Sequence, residues 1–126
     1  MAALFLMLAL TACEHPGSPR STPVADQTFA ESAEMQRRGE WLFRRGVRPS
    51  CHACHSLQAG RTIVGPSLAG VGNKGEEYLW RVITQEDVPP TPGFADGVMP
   101  VRVYAKWREE HEEQVADLVS FLLTLR

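Results

Sequence analysis

Residues 51–55 read Cys51-His52-Ala53-Cys54-His55, two thiols three positions apart with an imidazole directly after the second. On one turn of helix, positions i and i+3 point the same way. Both thiols then reach the two vinyl groups of one porphyrin, and the adjacent imidazole of His55 is held beneath its iron. C-x-x-C-H is the spacing of covalent haem attachment. A zinc site needs four ligands in tetrahedral array. Neighbours within one pentapeptide do not converge on a single ion, and no second cysteine pair follows. A thioredoxin-like dithiol needs a βαβ setting, which the surrounding sequence lacks. The pentapeptide therefore predicts one covalently bound haem c, with its iron, held by Cys51, Cys54 and His55.

Composition points the same way. The chain has 126 residues, enough for one domain, and is 44% hydrophobic. Much of that apolar content is concentrated in Met1–Ala12, and outside it the share falls to about 39%, below the roughly 45–50% of ordinary globular domains. A core of that size and composition is marginal, so a cofactor is expected to fill part of the interior. Three cysteines exclude a dense disulfide scaffold. Thirteen basic against fifteen acidic residues, net charge -2, leave no basic field for nucleic acid.

The elements that must position the pentapeptide are helical. Thr28 and Glu31 are spaced as a capping box, which predicts a helix opening near Phe29 or Ala30. Met35, Gly39, Leu42 and Phe43 follow on one face, and Gly46 ends it. The opposite face carries Glu34, Arg37, Arg38, Glu40, Arg44 and Arg45, read as solvated, with Glu34/Arg38 and Glu40/Arg44 as i,i+4 pairs. A short helix is predicted over Glu76–Gln85, on Leu79, Val82 and Ile83. A last helix carries Val115, Leu118, Val119, Leu122 and Leu125, with Glu109, Glu110, Glu112 and Glu113 towards its start and Arg126 at its end, as the helix dipole favours. Between them run Gly- and Pro-rich stretches, 60–75 and 89–100. The fold class is all-α with long loops, and loops this long in a small domain need something to wrap.

The N-terminus reads as an address. Met1–Leu10 is an unbroken apolar run, too short for a bilayer span of about 20 residues and suited to a secretory leader. Leu10-Thr11-Ala12-Cys13 resembles the bacterial lipobox, which implies acylation of Cys13 as the first mature residue. Residues 14–28, with Pro16, Pro19 and Pro23, read as a flexible tether. The expected organisation is a leader at 1–12, a lipid-anchored tether at 13–28 and one folded domain at 29–126.

Over that folded part the chain resembles the class I c-type cytochromes. Gly39 and Phe43 match the glycine and aromatic of that family's N-terminal helix, and Leu118 and Phe121 the leucine and aromatic of its C-terminal helix. The resemblance implies that the two helices cross at the glycine. Gly65-Pro66-Ser67-Leu68 resembles the family's G-P-x-L loop, which implies that the Pro66 carbonyl accepts a hydrogen bond from the proximal imidazole of His55. Gly97-Val98-Met99-Pro100 resembles the family's G-x-M-P loop, which implies Met99 as second axial ligand. Met1 and Met7 fall in the leader and Met35 on the packing face. His15, His52 and His111 are read as solvent-exposed.

A thioether opposite an imidazole gives a six-coordinate iron whose soft sulfur favours Fe(II). The resemblance thus implies a one-electron carrier and not an enzyme, with redox donor and acceptor proteins as partners and no small-molecule substrate. The leader places it on the periplasmic side of a bacterial membrane, lipid-anchored or, alternatively, soluble. Leu68, Val71, Leu79, Val82 and Ile83 are expected to wall the ring. Two other readings are a fixed haem subunit of a larger respiratory or sulfur-oxidising complex, and a peroxidase-like or ligand-binding protein in which Met99 leaves the iron open.

Overall fold

The computed structural model describes residues 24–126, and the leader, Cys13 and the first part of the tether lie outside the described residues. Within them the chain is all-helical. α1 (Val24–Trp41) runs into a single wider turn of π type, Leu42–Gly46, and the one-turn α2 (Cys51–Cys54) follows. A 3-10 turn at Val71–Lys74 leads into α3 (Glu76–Thr84), and α4 (Val101–Glu110) and α5 (Glu112–Leu122) complete the chain. No helix among the described residues is long and apolar enough to cross a membrane.

α1 and α5 form the frame. Leu42 and Phe43 from one side and Val115, Leu118, Val119 and Phe121 from the other are buried in one cluster, with the Phe43 and Phe121 rings 5.7 Å apart. Gly39 makes the approach possible, because a Cβ there would lie 2.0 Å from the Asp117 carbonyl oxygen and 2.7 Å from the Phe121 Cβ. Leu79 and Ile83 bring α3 into the same cluster.

Four features differ from the sequence expectation. α1 starts at Val24 rather than near Phe29, so residues 24–28 are helical and not tether. After Pro23 the run Val-Ala-Asp-Gln-Thr holds no helix breaker, and a proline just ahead of a helix is a compatible start.

A separate helix, α4, stands where no element was expected. Its apolar stripe is narrow, with Tyr104 its one buried residue, and the intervening charges hide the period.

α4 and α5 break at His111, whose φ of -146° and ψ of 55° are not helical. Glu109 and Glu110 therefore close α4, while Glu112 and Glu113 occupy the first turn of α5. α5 ends at Leu122, short of Leu125 and Arg126, and His111 is half-buried in the junction rather than exposed.

Arg38, finally, does not belong to a purely solvated face. Its Nε and Nη2 donate to the two Asp117 carboxylate oxygens at 2.6 and 2.8 Å, across the α1–α5 crossing. Asp117 is only 6% exposed, and this bidentate pairing raises the Arg38 pKa. Glu34 reaches Arg38 at 3.9 Å but makes its hydrogen bonds to Arg37, and the expected Glu40–Arg44 pair is present at 2.9 Å.

Candidate haem site

Ser50, in extended conformation, is the N-cap of α2, and the Ala53 N–H donates to its carbonyl at 3.1 Å. The single turn that follows places Cys51, Cys54 and His55 half-buried while His52 and Ala53 are exposed. The i, i+3 spacing thus turns both thiols inward together, as the motif requires. His55 is the first residue off the helix, with φ -116° and ψ 132°, and its own N–H donates to the Cys51 carbonyl at 2.9 Å.

A short ladder then folds the 65–68 loop back onto this turn. The Gly65 N–H donates to the Cys54 carbonyl at 2.9 Å and the Leu68 N–H to the Ser56 carbonyl at 2.8 Å. The Ser67 hydroxyl donates to the Gln58 carbonyl at 2.7 Å and accepts from the Ala69 N–H at 3.2 Å. Pro66, carried between these rungs, presents its carbonyl to the His55 ring, with Nδ1 to O at 2.8 Å. A carbonyl only accepts, so Nδ1 carries a proton, and in the neutral ring Nε2 is the nitrogen with the free lone pair.

Gly65 is a glycine for the same reason: a Cβ there would lie 2.5 Å from the His55 Cε1 and 2.9 Å from its Nδ1. Alanine at Gly65 is expected to push the ring off the Pro66 carbonyl and to destabilise the protein by about 2 kcal/mol, roughly 10 °C in Tm. Thermal unfolding checks this, together with the ring-nitrogen NMR shifts of His55. An unchanged His55 ring would contradict it.

Burial pushes the Cys51 thiol up to about 11. At neutral pH it is a protonated thiol, neither an activated nucleophile nor a ready thiolate ligand. Among the described residues, no group of three or more His, Cys, Asp and Glu side chains is placed to hold a metal ion by itself. The turn therefore offers two thiols and one imidazole nitrogen, the donor set of an attached haem.

The surroundings fit that group. Leu68, Val71, Val82 and Met99 are half-buried against the core cluster, whereas Leu79 and Ile83, expected to wall the ring, are fully inside it. In the loops, Ile63, Val64 and Val98 are 48%, 53% and 54% exposed, apolar side chains that the polypeptide alone leaves uncovered. Met99 follows Gly97, whose φ of +72° suits glycine and whose N–H donates to the Asp96 side chain at 2.8 Å.

The large polar-tipped aromatics have protein partners. Trp80 donates to Glu76 and lies under Arg108, Trp107 donates to Gln114, and Tyr104 donates to the Pro49 carbonyl. Lys74 sits over the Tyr78 ring at 5.7 Å. His52 faces outward, its ring 5.9 Å from that of Phe43.

Two contributors escaped the sequence reading, the Gly65–His55 contact and the Tyr104–Pro49 hydrogen bond. The Gly65-Pro66 dipeptide signals a turn, but nothing local says which ring lies over it. The Tyr104 partner is 55 positions away.

The family model of cytochrome c matches residues 36–126, from the middle of α1 to the last residue. No curated protein and no solved structure matches the chain. The matched span contains the crossed helices, the C-x-x-C-H turn and both long loops, and on that ground the chain belongs to the cytochrome c family, whose members carry haem c, iron included, bound covalently.

Proposed function

We propose that this cytochrome binds one haem through thioethers from Cys51 and Cys54 and ligates its iron with the His55 Nε2 and the Met99 sulfur. It would thereby move single electrons between membrane-bound or periplasmic redox partners. Haem binding and electron transfer are the business of the family; the ligands and the partners are our reading. The observation that carries it is the 2.8 Å contact between the His55 Nδ1 and the Pro66 carbonyl. It fixes the ring's tautomer and leaves Nε2 as the basic nitrogen, beside the two inward-turned thiols.

When bound, the haem supplies an Fe(III)/Fe(II) couple. The chain's own residues do the rest. The Pro66 carbonyl orients His55 and raises its basicity as a ligand. Met99 supplies a soft sulfur that favours Fe(II). Leu68, Val71 and Val82, apolar and half-buried, keep water away. With His55 and Met99 both holding the iron, no place would remain for dioxygen or peroxide, and little would reorganise when one electron moves. Acylation of Cys13 and the tether behind it would hold the domain near membrane-bound partners without fixing its orientation.

The test is optical. The ferric protein is expected to show the weak near-infrared charge-transfer band of sulfur–iron bonding, and the ferrous protein to bind carbon monoxide slowly. Met99→Ala is expected to keep the haem, lose that band, bind carbon monoxide readily, and lower the reduction potential by on the order of 0.1–0.2 V. Rapid carbon monoxide binding by the unsubstituted protein would instead assign it to the open-site class.

A second reading, a haem subunit fixed in a larger respiratory or sulfur-oxidising assembly, draws on Trp41. This large ring is 59% exposed and lines the groove between α1 and α5 beside Arg37, Leu42 and Gln114. Co-purification of a stoichiometric partner after mild detergent extraction would favour it.

A further inference from the structure

We infer that Tyr104 is a positioning residue that locks the segment carrying Met99 to the turn carrying Cys51 and His55. The inference rests on the His55/Met99 ligation proposed above. Tyr104 is 5% exposed and is the one buried side chain of α4. α4 starts directly after the methionine: the Val101 N–H donates to the Met99 carbonyl at 2.8 Å, Pro100 is the N-cap, and the Val103 and Tyr104 N–H groups both donate to the Pro100 carbonyl. Where Tyr104 is held, the start of α4 is held, and Met99 with it.

The other end of the link lies at the attachment turn. The Tyr104 hydroxyl donates to the Pro49 carbonyl at 2.8 Å, and Pro49 immediately precedes Ser50, the N-cap of α2. The remaining polar anchors of α4 lead elsewhere. Arg108 lies over Trp80 of α3, Trp107 donates to Gln114 of α5, and Arg102 pairs with Glu86. Among the described residues, the phenol makes the one hydrogen bond between α4 and the segment from Pro49 to His55. Burial raises the Tyr104 pKa, so the hydroxyl stays a donor throughout the working pH range.

A hydrogen bond in this position acts on a local equilibrium. The loop bearing Met99 is rich in Gly and Pro and has little buried side-chain surface of its own, the profile of a segment that opens without global unfolding. Opening would carry the Met99 sulfur away from the haem site. The bond from Tyr104 to Pro49 opposes that motion by tying the loop's far end to the turn that carries His55. The Tyr104 ring still packs in the core when the oxygen is removed, so Tyr104→Phe separates the link from the packing.

The experiment uses the full-chain holoprotein. Imidazole titrated into the ferric form binds only when the sulfur has left, so its affinity reads the open population. Tyr104→Phe is expected to tighten imidazole binding about fivefold, the factor that one net hydrogen bond is worth. Its near-infrared band is expected to vanish on heating before the far-ultraviolet helix signal does. Arg38→Lys, which weakens the distant pairing to Asp117, serves as the control for general loss of stability. It is expected to lower Tm and leave imidazole affinity unchanged.

Affinity of the Tyr104→Phe protein within twofold of the parent would overturn the inference, as would an equal gain in Arg38→Lys. A parent protein that shows no near-infrared band would overturn the ligation reading itself, and with it this inference; that result is read on the parent alone, before any variant is compared. If Tyr104→Phe gives too little holoprotein, native-state hydrogen exchange on the parent decides. Common opening of the Val103 and Tyr104 amides with those of Ala53 and His55 would support the link, and independent opening would refute it.

Discussion

Serine at both Cys51 and Cys54 is expected to leave no haem-staining band after denaturing electrophoresis, because reversible binding replaces covalent attachment, and serine at either one, which leaves a single thioether, to lower the yield of holoprotein about tenfold. Each thiol would form its thioether by adding S–H across one vinyl group, sulfur to one carbon and hydrogen to the other, with nothing released. A serine hydroxyl does not make that addition. The loss goes beyond colour. Ile63, Val64 and Val98 are uncovered by protein, and a ligand that binds only the folded state stabilises it by about 2.7 kcal/mol at a hundred times its Kd. A domain of this size has roughly 5–15 kcal/mol in total, so the doubly substituted protein is expected to lose much of its far-ultraviolet helix signal as well. The absorption of the reduced pyridine adduct reports how many vinyl groups survive. It should show one in each single variant, and a parent-like spectrum would refute attachment at that cysteine.

Alanine at Gly39 is expected to be the most damaging single methyl group in the frame. It would stand 2.0 Å from the Asp117 carbonyl oxygen and 2.7 Å from the Phe121 Cβ. The nearest obstacle is backbone, which cannot rotate away, so α1 and α5 must separate. Overpacking of this kind costs about 1–3 kcal/mol, occasionally more. Alanine recovers up to about 1 kcal/mol of that through its better helix propensity. Separation also pulls the Arg38 guanidinium from the Asp117 carboxylate, which is buried and left with a weakened partner. The expected net loss is about 2–3 kcal/mol, or roughly 10–20 °C in Tm. A thermal melt indistinguishable from the parent's would show that the crossing is looser than its geometry implies.

How much of this was legible in advance follows from the range of the interactions. The faces of α1 and α5 repeat at 3.6 residues, so Met35, Gly39, Leu42 and Phe43, and Val115, Leu118, Val119, Leu122 and Leu125, read as buried from the pattern alone. All but Met35 and Leu125 are buried, and those two are half-buried. The C-x-x-C-H turn is local and announces itself. The resemblance of the Pro66 loop implies its contact with His55, but the ladder between residues 54–58 and 65–69 that holds the loop there is encoded by no periodicity. One buried tyrosine is not a stripe, so no pattern announces α4. Arg38 reads as solvated because its partner, Asp117, lies 79 positions away. An aspartate at a core-facing position of α5 was the available clue, since a buried carboxylate demands a cation.

The Phe43–Phe121 pairing also sets an order of events during biosynthesis. Translation proceeds from the amino end, and the α5 residues that enclose Phe43 emerge after the Cys51–His55 turn. A nascent chain that has reached Met99 possesses the Cys51–His55 turn but none of α5, and so has no interior to collapse around. Contacts this distant in sequence form slowly and together. While α5 is undocked, Cys51 and Cys54 would stand more open than their half-buried state in the finished fold to a machinery that attaches haem.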